Sequence, residues 1–354
     1  MSIGPDDVRA LARGCAVLGA GGGGDTAAGI LMAETALRAH GPVEVVGVED
    51  LPPDGVVMPC GGIGAPVVSF EKLEAGDEGD RLRDEVERLG RREVVALMAS
   101  EIGGSNGLVP IAWAARAGLP VLDADGMGRA FPEVQMVSME LAGIAPSPAV
   151  LTDERGAVVV IRASEGAELE RLERAVCVAM GGTASGADYV MTAAEARDAT
   201  IPGTVTAALR IGRSIEAADD PIGALVAGIG AVPLVAGKVV DVERRLVGGF
   251  VRGAATVEGL RTDAGREVRI HVQNEYLVAR EGDRVLAVVP DLITVLDTET
   301  ADAVPTERLR YGQRVTVVGI PCAPVWRTPR GLEVAGPAAF GEDVAYVPVE
   351  RLRG

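Results

Sequence analysis

The chain has 354 residues, 48% hydrophobic and 24% charged, with 47 glycines and only 3% aromatic residues. That length exceeds the ~250–300 residues at which single cores stop growing, so two domains are expected. The formal charge of −17, with no basic stripe to interrupt it, repels phosphate backbones and anionic lipid and argues against nucleic-acid and membrane-surface partners.

In chain order, residues 5–13 read as a short helix and 26–39 as an amphipathic one. Ile30, Leu31, Ala33, Glu34 and Leu37 fall at helical spacing, and Asp25 takes the N-cap position. Between the two helices stands Gly19-Ala20-Gly21-Gly22-Gly23-Gly24. Short apolar runs follow at 43–48, 56–59 and 94–98, each ending in a loop of glycine or acid; 109–117 reads as a helix and 119–122 as a further strand. This rhythm predicts an α/β domain with a mainly parallel sheet over residues 1–165, closed by a hairpin of 148–151 with 157–161. From 166 to 354 a second domain is expected, helical over 168–228 and then β-rich. Its strands are placed near 239–240, 250–251, 268–272, 286–289, 292–295, 315–318 and 344–347.

No apolar run approaches the ~20 residues of a membrane span, and the first residues lack a basic stretch ahead of an apolar one, so a cytoplasmic location is expected. Cys15, Cys60, Cys177 and Cys322 are far apart, with no CxxC pair, and are expected as buried free thiols. His40 and His271 are the only histidines, which excludes a His-rich zinc site. The first reads as a helix-ending surface residue and the second as a partly exposed strand residue. Carboxylates are left to carry chemistry.

The run from Gly19 to Gly24 matches the spacing of a dinucleotide fingerprint, in which backbone N–H groups at a helix N-terminus hold a pyrophosphate. Asp25 at the mouth of that helix opposes a diphosphate, and a tight turn bringing helix and sheet together explains the glycines equally well. NAD(P) is therefore not expected. Glu101 follows the run 94–98 and Asn106 caps the next helix; Asp123 and Asp125 follow 119–122, with Arg129 and Glu133 shortly after. Ligands of open α/β sheets bind beyond the carboxyl ends of the strands, so these loops are expected to face one cleft together with Asp25. A turn hydrogen bond would also explain any single one of these acids. Crowded carboxylates raise one another's pKa, which suits an acid and base pair; the same cluster could hold a divalent cation. Gln273, Asn274 and Glu275 place three polar side chains in succession inside the strand-like run opened by 268–272, where alternation predicts an apolar one, so they must find hydrogen bonds or face a cleft.

At these motifs the chain resembles the S-methyl thiohydantoin desulfurases, a family long described only as a domain of unknown function and often associated with hydantoinases. The resemblance is carried by GAGGGGD at 19–25, EIGGSNG at 101–107, DADGMGRAFPE at 123–133, IPGT at 201–204, GKVVDVERR at 237–245, QNE at 273–275, VPDLI at 289–293 and LRYGQRV at 309–315. It covers nearly the whole chain and implies two domains meeting near residue 165. It also implies hydrolysis of the C–S bond of an S-methylated thiohydantoin, giving a hydantoin and methanethiol. On that reading Asp123 or Asp125 acts as base or metal ligand with Glu101 as partner. Asn106 and the amides of Gly21, Gly22, Gly23 and Gly24 donate to the ring or its acid tail, and Arg129 holds a substrate carboxylate, with Glu133, Gln273, Asn274 and Glu275 completing the substrate site. The rival readings are a nucleotide-dependent oxidoreductase and a non-catalytic subunit of a hydantoinase-type enzyme. The expected partner is a small molecule, and the chain is expected to form a homo-oligomer.

Overall fold

The computed structural model describes residues 1–64, 72, 74–90, 92–247 and 250–352. Ten strands form a first sheet: Ser2–Ile3 (β1), Val43–Val46 (β2), Val56–Gly64 (β3), Val94–Ala99 (β4), Val121–Asp125 (β5), Ala149–Thr152 (β6), Val158–Ile161 (β7), Thr183–Ala187 (β8), Met191–Thr192 (β9) and Ile201–Pro202 (β10). Seven more form a second: Val232–Val247 (β11), Phe250–Gly259 (β12), Glu267–Gln273 (β13), Glu275–Glu281 (β14), Arg284–Val288 (β15), Leu292–Asp297 (β16) and Arg314–Ile320 (β17). The α-helices are Val8–Leu18 (α1), Thr26–His40 (α2), Glu78–Gly90 (α3), Val109–Ala117 (α4), Ser138–Leu141 (α5), Gly166–Ala179 (α6), Ala193–Ala199 (α7), Thr204–Glu216 (α8), Pro221–Ile229 (α9) and Pro329–Ala335 (α10).

The centre of the first sheet, β2-β5-β4-β3, is parallel, and its strands carry near-continuous apolar runs because helices cover both faces. Antiparallel strands extend it beyond β3 through β8, β6 and β7. β8, β9 and β10 thus join the first sheet although they lie beyond residue 165, and the chain passes to the second sheet only at β11. The sequence Thr-Ala-Ser-Gly-Ala of β8 has a single β-branched residue, which is why it gives no strand signal. The second sheet is antiparallel throughout, in the order β15-β14-β13-β12-β11-β17-β16.

Three elements differ from expectation. Residues 344–347 form no strand. α3 was not anticipated because its highly charged sequence buries only a narrow stripe, with Leu82 and Val86 as its apolar members. Gln273-Asn274-Glu275 is not the continuation of one strand: the chain turns at Asn274, whose φ of 58° is left-handed, and β14 begins at Glu275.

α8 also returns to the first domain, where it packs against α1 through two glycines. A Cβ on Gly14 would stand 1.8 Å from the Ala208 carbonyl oxygen, and one on Gly212 would stand 1.7 Å from that of Ala10. Backbone cannot yield as a flexible side chain can, so Gly212→Ala is expected to destabilise the fold by about 1–3 kcal/mol or more. Urea denaturation reads this directly, and an unchanged midpoint would contradict the packing described.

Candidate functional site

β4 and β5 deliver Glu101 and Asp125 to the carboxyl edge of the parallel strands, where open α/β sheets place their ligands. Glu101 is 8% exposed. One carboxylate oxygen, Oε1, accepts from Asn106 Nδ2 at 2.6 Å, and Oε2 accepts from the Phe131 amide at 3.2 Å. Asn106 is itself fixed, because its Oδ1 accepts from Gly62 N at 2.8 Å and its Nδ2 donates to Gly62 O at 3.1 Å. Gly62 is exposed at the end of β3, so a chain of hydrogen bonds runs from the surface to the Glu101 carboxyl. Burial pushes that carboxyl up to about 8, opposed by its bonds to Asn106 and Phe131 and reinforced by the charge of Asp125.

Asp125 is fully buried and accepts three backbone amides on Oδ2: Ile102 at 2.8 Å, Met127 at 3.1 Å and Gly128 at 2.7 Å. Burial raises it to about 7. Its contacts set the path of the loops on either side of Glu101, and its Oδ1 has no hydrogen-bond partner among the described residues. Asp123 does not join Glu101. Its carboxylate accepts from Thr206 N at 3.0 Å and from Thr206 Oγ1 at 2.5 Å, holding the start of α8 beside a cavity of about 430 Å³ that also contacts Arg197 and Thr200. Glu49 and Asp50 also line that cavity, and the Asp123 carboxylate is engaged with the start of the helix.

The other expected site residues are placed as follows. Asp25 caps α2, accepting from Ala27 N at 2.8 Å, and pairs with Arg308, so it does not share the Glu101 cluster. The glycine loop is a junction. Its carbonyls accept from Tyr276 N at Ala20, Thr306 N at Gly21, Asn106 N at Gly23 and Ser105 N at Gly24. Gly22 N donates to Gly19 O, and a Cβ on Gly22 would stand 2.0 Å from Glu275 Oε1, so the glycines admit the second domain against the 101–107 loop. Asn106 spends both amide hydrogens on Gly62 and Glu101, which assigns it to orienting the acid and not to the ring.

Arg129 lies in the interior, at the junction of the two domains. It is 0% exposed, its Nε donates to Ala130 O at 2.8 Å, and its Nη1 donates to Pro290 O at 2.7 Å and Asp291 O at 3.1 Å. The guanidinium lies 4.5 Å from the Phe131 ring centroid. Burial lowers it to about 10 against the pull of Glu275. The guanidinium bonds carbonyls across the junction through Nε and Nη1 and ties the domains together, while its Nη2 has no hydrogen-bond partner among the described residues.

Glu275 is buried between Gly22 and these groups, and burial raises its pKa well above the usual range, with Glu101 adding to the rise and Arg129 opposing it. Asn274 makes the turn, its Oδ1 accepting from Val251 N at 2.9 Å. Gln273 lines a groove on the second sheet. Glu133 accepts from Gln135 Nε2 at 2.5 Å and is raised by burial.

A second buried acid pair, Glu173 on α6 and Asp188 after β8, escaped the sequence reading. Burial raises both, Asp188 to about 7, and Glu173 Oε1 and Asp188 Oδ1 have no hydrogen-bond partner. The signal was present in Leu169, Glu173 and Cys177, one buried stripe at helical spacing with an acid in its middle. The four cysteines are buried and unlinked, and burial raises each thiol. Among the described residues no group of three or more His, Cys, Asp or Glu is arranged to hold a metal, and no helix is long and apolar enough to cross a membrane.

The raised carboxyls carry a stability consequence. Glu101, Asp125 and Asp188 hold protons in the fold that they release when unfolded, so their contribution is complete below the ordinary carboxyl range and is lost as pH rises through about 7 to 8. The melting temperature is therefore expected to fall between pH 5 and pH 9, and Glu101→Gln to narrow that fall. A flat or rising profile over this window would contradict the burial of these acids.

Comparison with known proteins gives two family-model matches that meet end to end. The model described as S-Me-THD-like, N-terminal domain, matches residues 6–163, and that described as S-Me-THD-like, C-terminal domain, matches residues 164–349. A crystal structure of a protein from Chromobacterium violaceum is 24% identical, with a TM-score of 0.81 over 99% of this chain and 100% of that one, and so shares its fold. No curated protein matches the chain.

Proposed function

The chain belongs to the S-Me-THD-like family, and from that premise we propose that it hydrolyses the C–S bond of an S-methylated thiohydantoin, with Glu101 as the acid and base. The observation that carries this reading is a carboxyl at the strand edge, raised to about 8 and gripped by an oriented amide. General acid and base catalysis is most effective when the group's pKa lies near the working pH.

The ring carbon bonded to the methylthio group is flanked by nitrogen and is electrophilic. Glu101 as carboxylate takes a proton from water while the water oxygen bonds to that carbon, and the C=N electron pair moves to the ring nitrogen. Protonated Glu101 gives that proton to the ring nitrogen; as the tetrahedral carbon collapses, its hydroxyl proton passes through the Glu101 carboxylate to the departing sulfur, the C–S bond breaks, and methanethiol leaves as the carbonyl forms. Water supplies the oxygen and both hydrogens, so no oxidant or reductant enters. Asn106 holds the carboxyl in place, and Asp125 fixes the loops that carry it.

The test is methanethiol release by the purified chain as a function of pH. Asn106→Ala removes a bond that favours the charged carboxylate, so Glu101 is expected to rise further and the alkaline-going limb of the rate, near pH 8, to move to higher pH. The same variant is expected to lose ~10-fold or more in kcat because the base is no longer oriented. A profile unmoved by this substitution would detach Asn106 from the chemistry.

A further inference from the structure

We propose that the second sheet carries a ligand site of its own, a groove of about 310 Å³ on β12 and β13 that takes a small carboxylate bearing a carboxamide. Val268, Ile270 and Val272 point into the core of that sheet, so the alternation of β13 turns Arg269, His271 and Gln273 to the opposite face, where they line the groove with Arg252. Phe340 and Glu342 close one side.

Gln273 is the informative residue. The residue is 5% exposed and its side-chain amide makes no hydrogen bond among the described residues, yet neither amide atom is among the fully enclosed unpartnered ones, so the amide opens onto the groove. The amide presents a donor and an acceptor side by side, the complement of a carboxamide. The charges around it are unequally engaged. Arg269 lies 3.7 Å from Glu243, and His271 Nδ1 lies 3.0 Å from Glu342 Oε1. Arg252 is exposed and makes no hydrogen bond or ion pair among the described residues; Glu133 feels its charge without bonding to it. It is the cation available to a ligand, and a planar guanidinium selects carboxylate. Phe340 supplies an apolar wall for the carbon between the two polar ends. Glu101 does not line this groove, so the site stands independently of the hydrolytic reading.

The probe is N-acetylglycine, titrated into the full chain by calorimetry beside acetate and acetamide, which each carry half of its chemistry. Saturable binding of N-acetylglycine is expected, with each half-ligand weaker by at least ~10-fold. Arg252→Gln and Gln273→Leu are expected to weaken binding by at least ~10-fold each, and Glu101→Gln to leave it unchanged. Arg252 is exposed, so its variant carries the test even where Gln273→Leu disturbs the sheet. No saturable binding, binding that survives Arg252→Gln, or binding lost with Glu101→Gln would each overturn the proposal.

Discussion

Glu101→Gln is expected to lower methanethiol release at least ~10²-fold while the protein stays folded. The amide keeps the shape of the carboxyl and an oxygen for Asn106 Nδ2, so one of the two bonds that hold the side chain is retained. The other, from the Phe131 amide, meets an NH₂ group in place of an oxygen, which limits the stability loss to about 1–2 kcal/mol. What disappears is basicity. Asp123→Asn separates this from a general effect of removing an acid from the strand edge. Asp123 accepts from Thr206 at the start of α8, and its amide is expected to cost about 1 kcal/mol and to leave turnover near native. Equal rates for wild type and Glu101→Gln would show that this carboxyl is structural.

The largest stability effect is expected at Arg129. Arg129→Met fills much of the same volume but leaves the carbonyls of Ala130, Pro290 and Asp291 buried without their donor. It also removes the positive charge that opposes the Glu275 rise. Breaking a buried charged network by deleting one member destabilises by about 3–5 kcal/mol, and a loss of that size is expected in urea denaturation. Arg129→Lys should recover only part of it, because a single ammonium cannot reach carbonyls lying on different sides of the planar fork. A change within about 1 kcal/mol for Arg129→Met would mean that these bonds do not hold the junction.

The sequence made some of this legible and hid the rest for physical reasons. The parallel centre was readable because β3 and β4 are buried on both faces and so carry continuous apolar runs ended by glycine or acid. The loops after those strands pointed to Glu101 and Asn106 by the same logic. What packs against a loop is not written in the loop. The glycines at 19–24 fit a phosphate cradle by spacing alone, and their work as a junction appears only when Tyr276, Glu275 and Thr306 arrive from the far part of the chain. Arg129, in a glycine-flanked run, reads as a free cation because backbone carbonyls, its actual partners, leave no mark in a sequence. Asp123 and Asp125 look equivalent two residues apart, yet one meets the hydroxyl and amide of Thr206 and the other three loop amides. β8 stayed hidden because small residues pair strands without any period-two apolar pattern.

The most direct test of the proposed chemistry is the fate of labelled oxygen when the purified chain turns over an S-methyl thiohydantoin in H₂¹⁸O. Attack on the ring carbon is expected to place the label in the new hydantoin carbonyl, with one methanethiol released for each hydantoin formed. Label found in methanol, or no methanethiol at all, would contradict it.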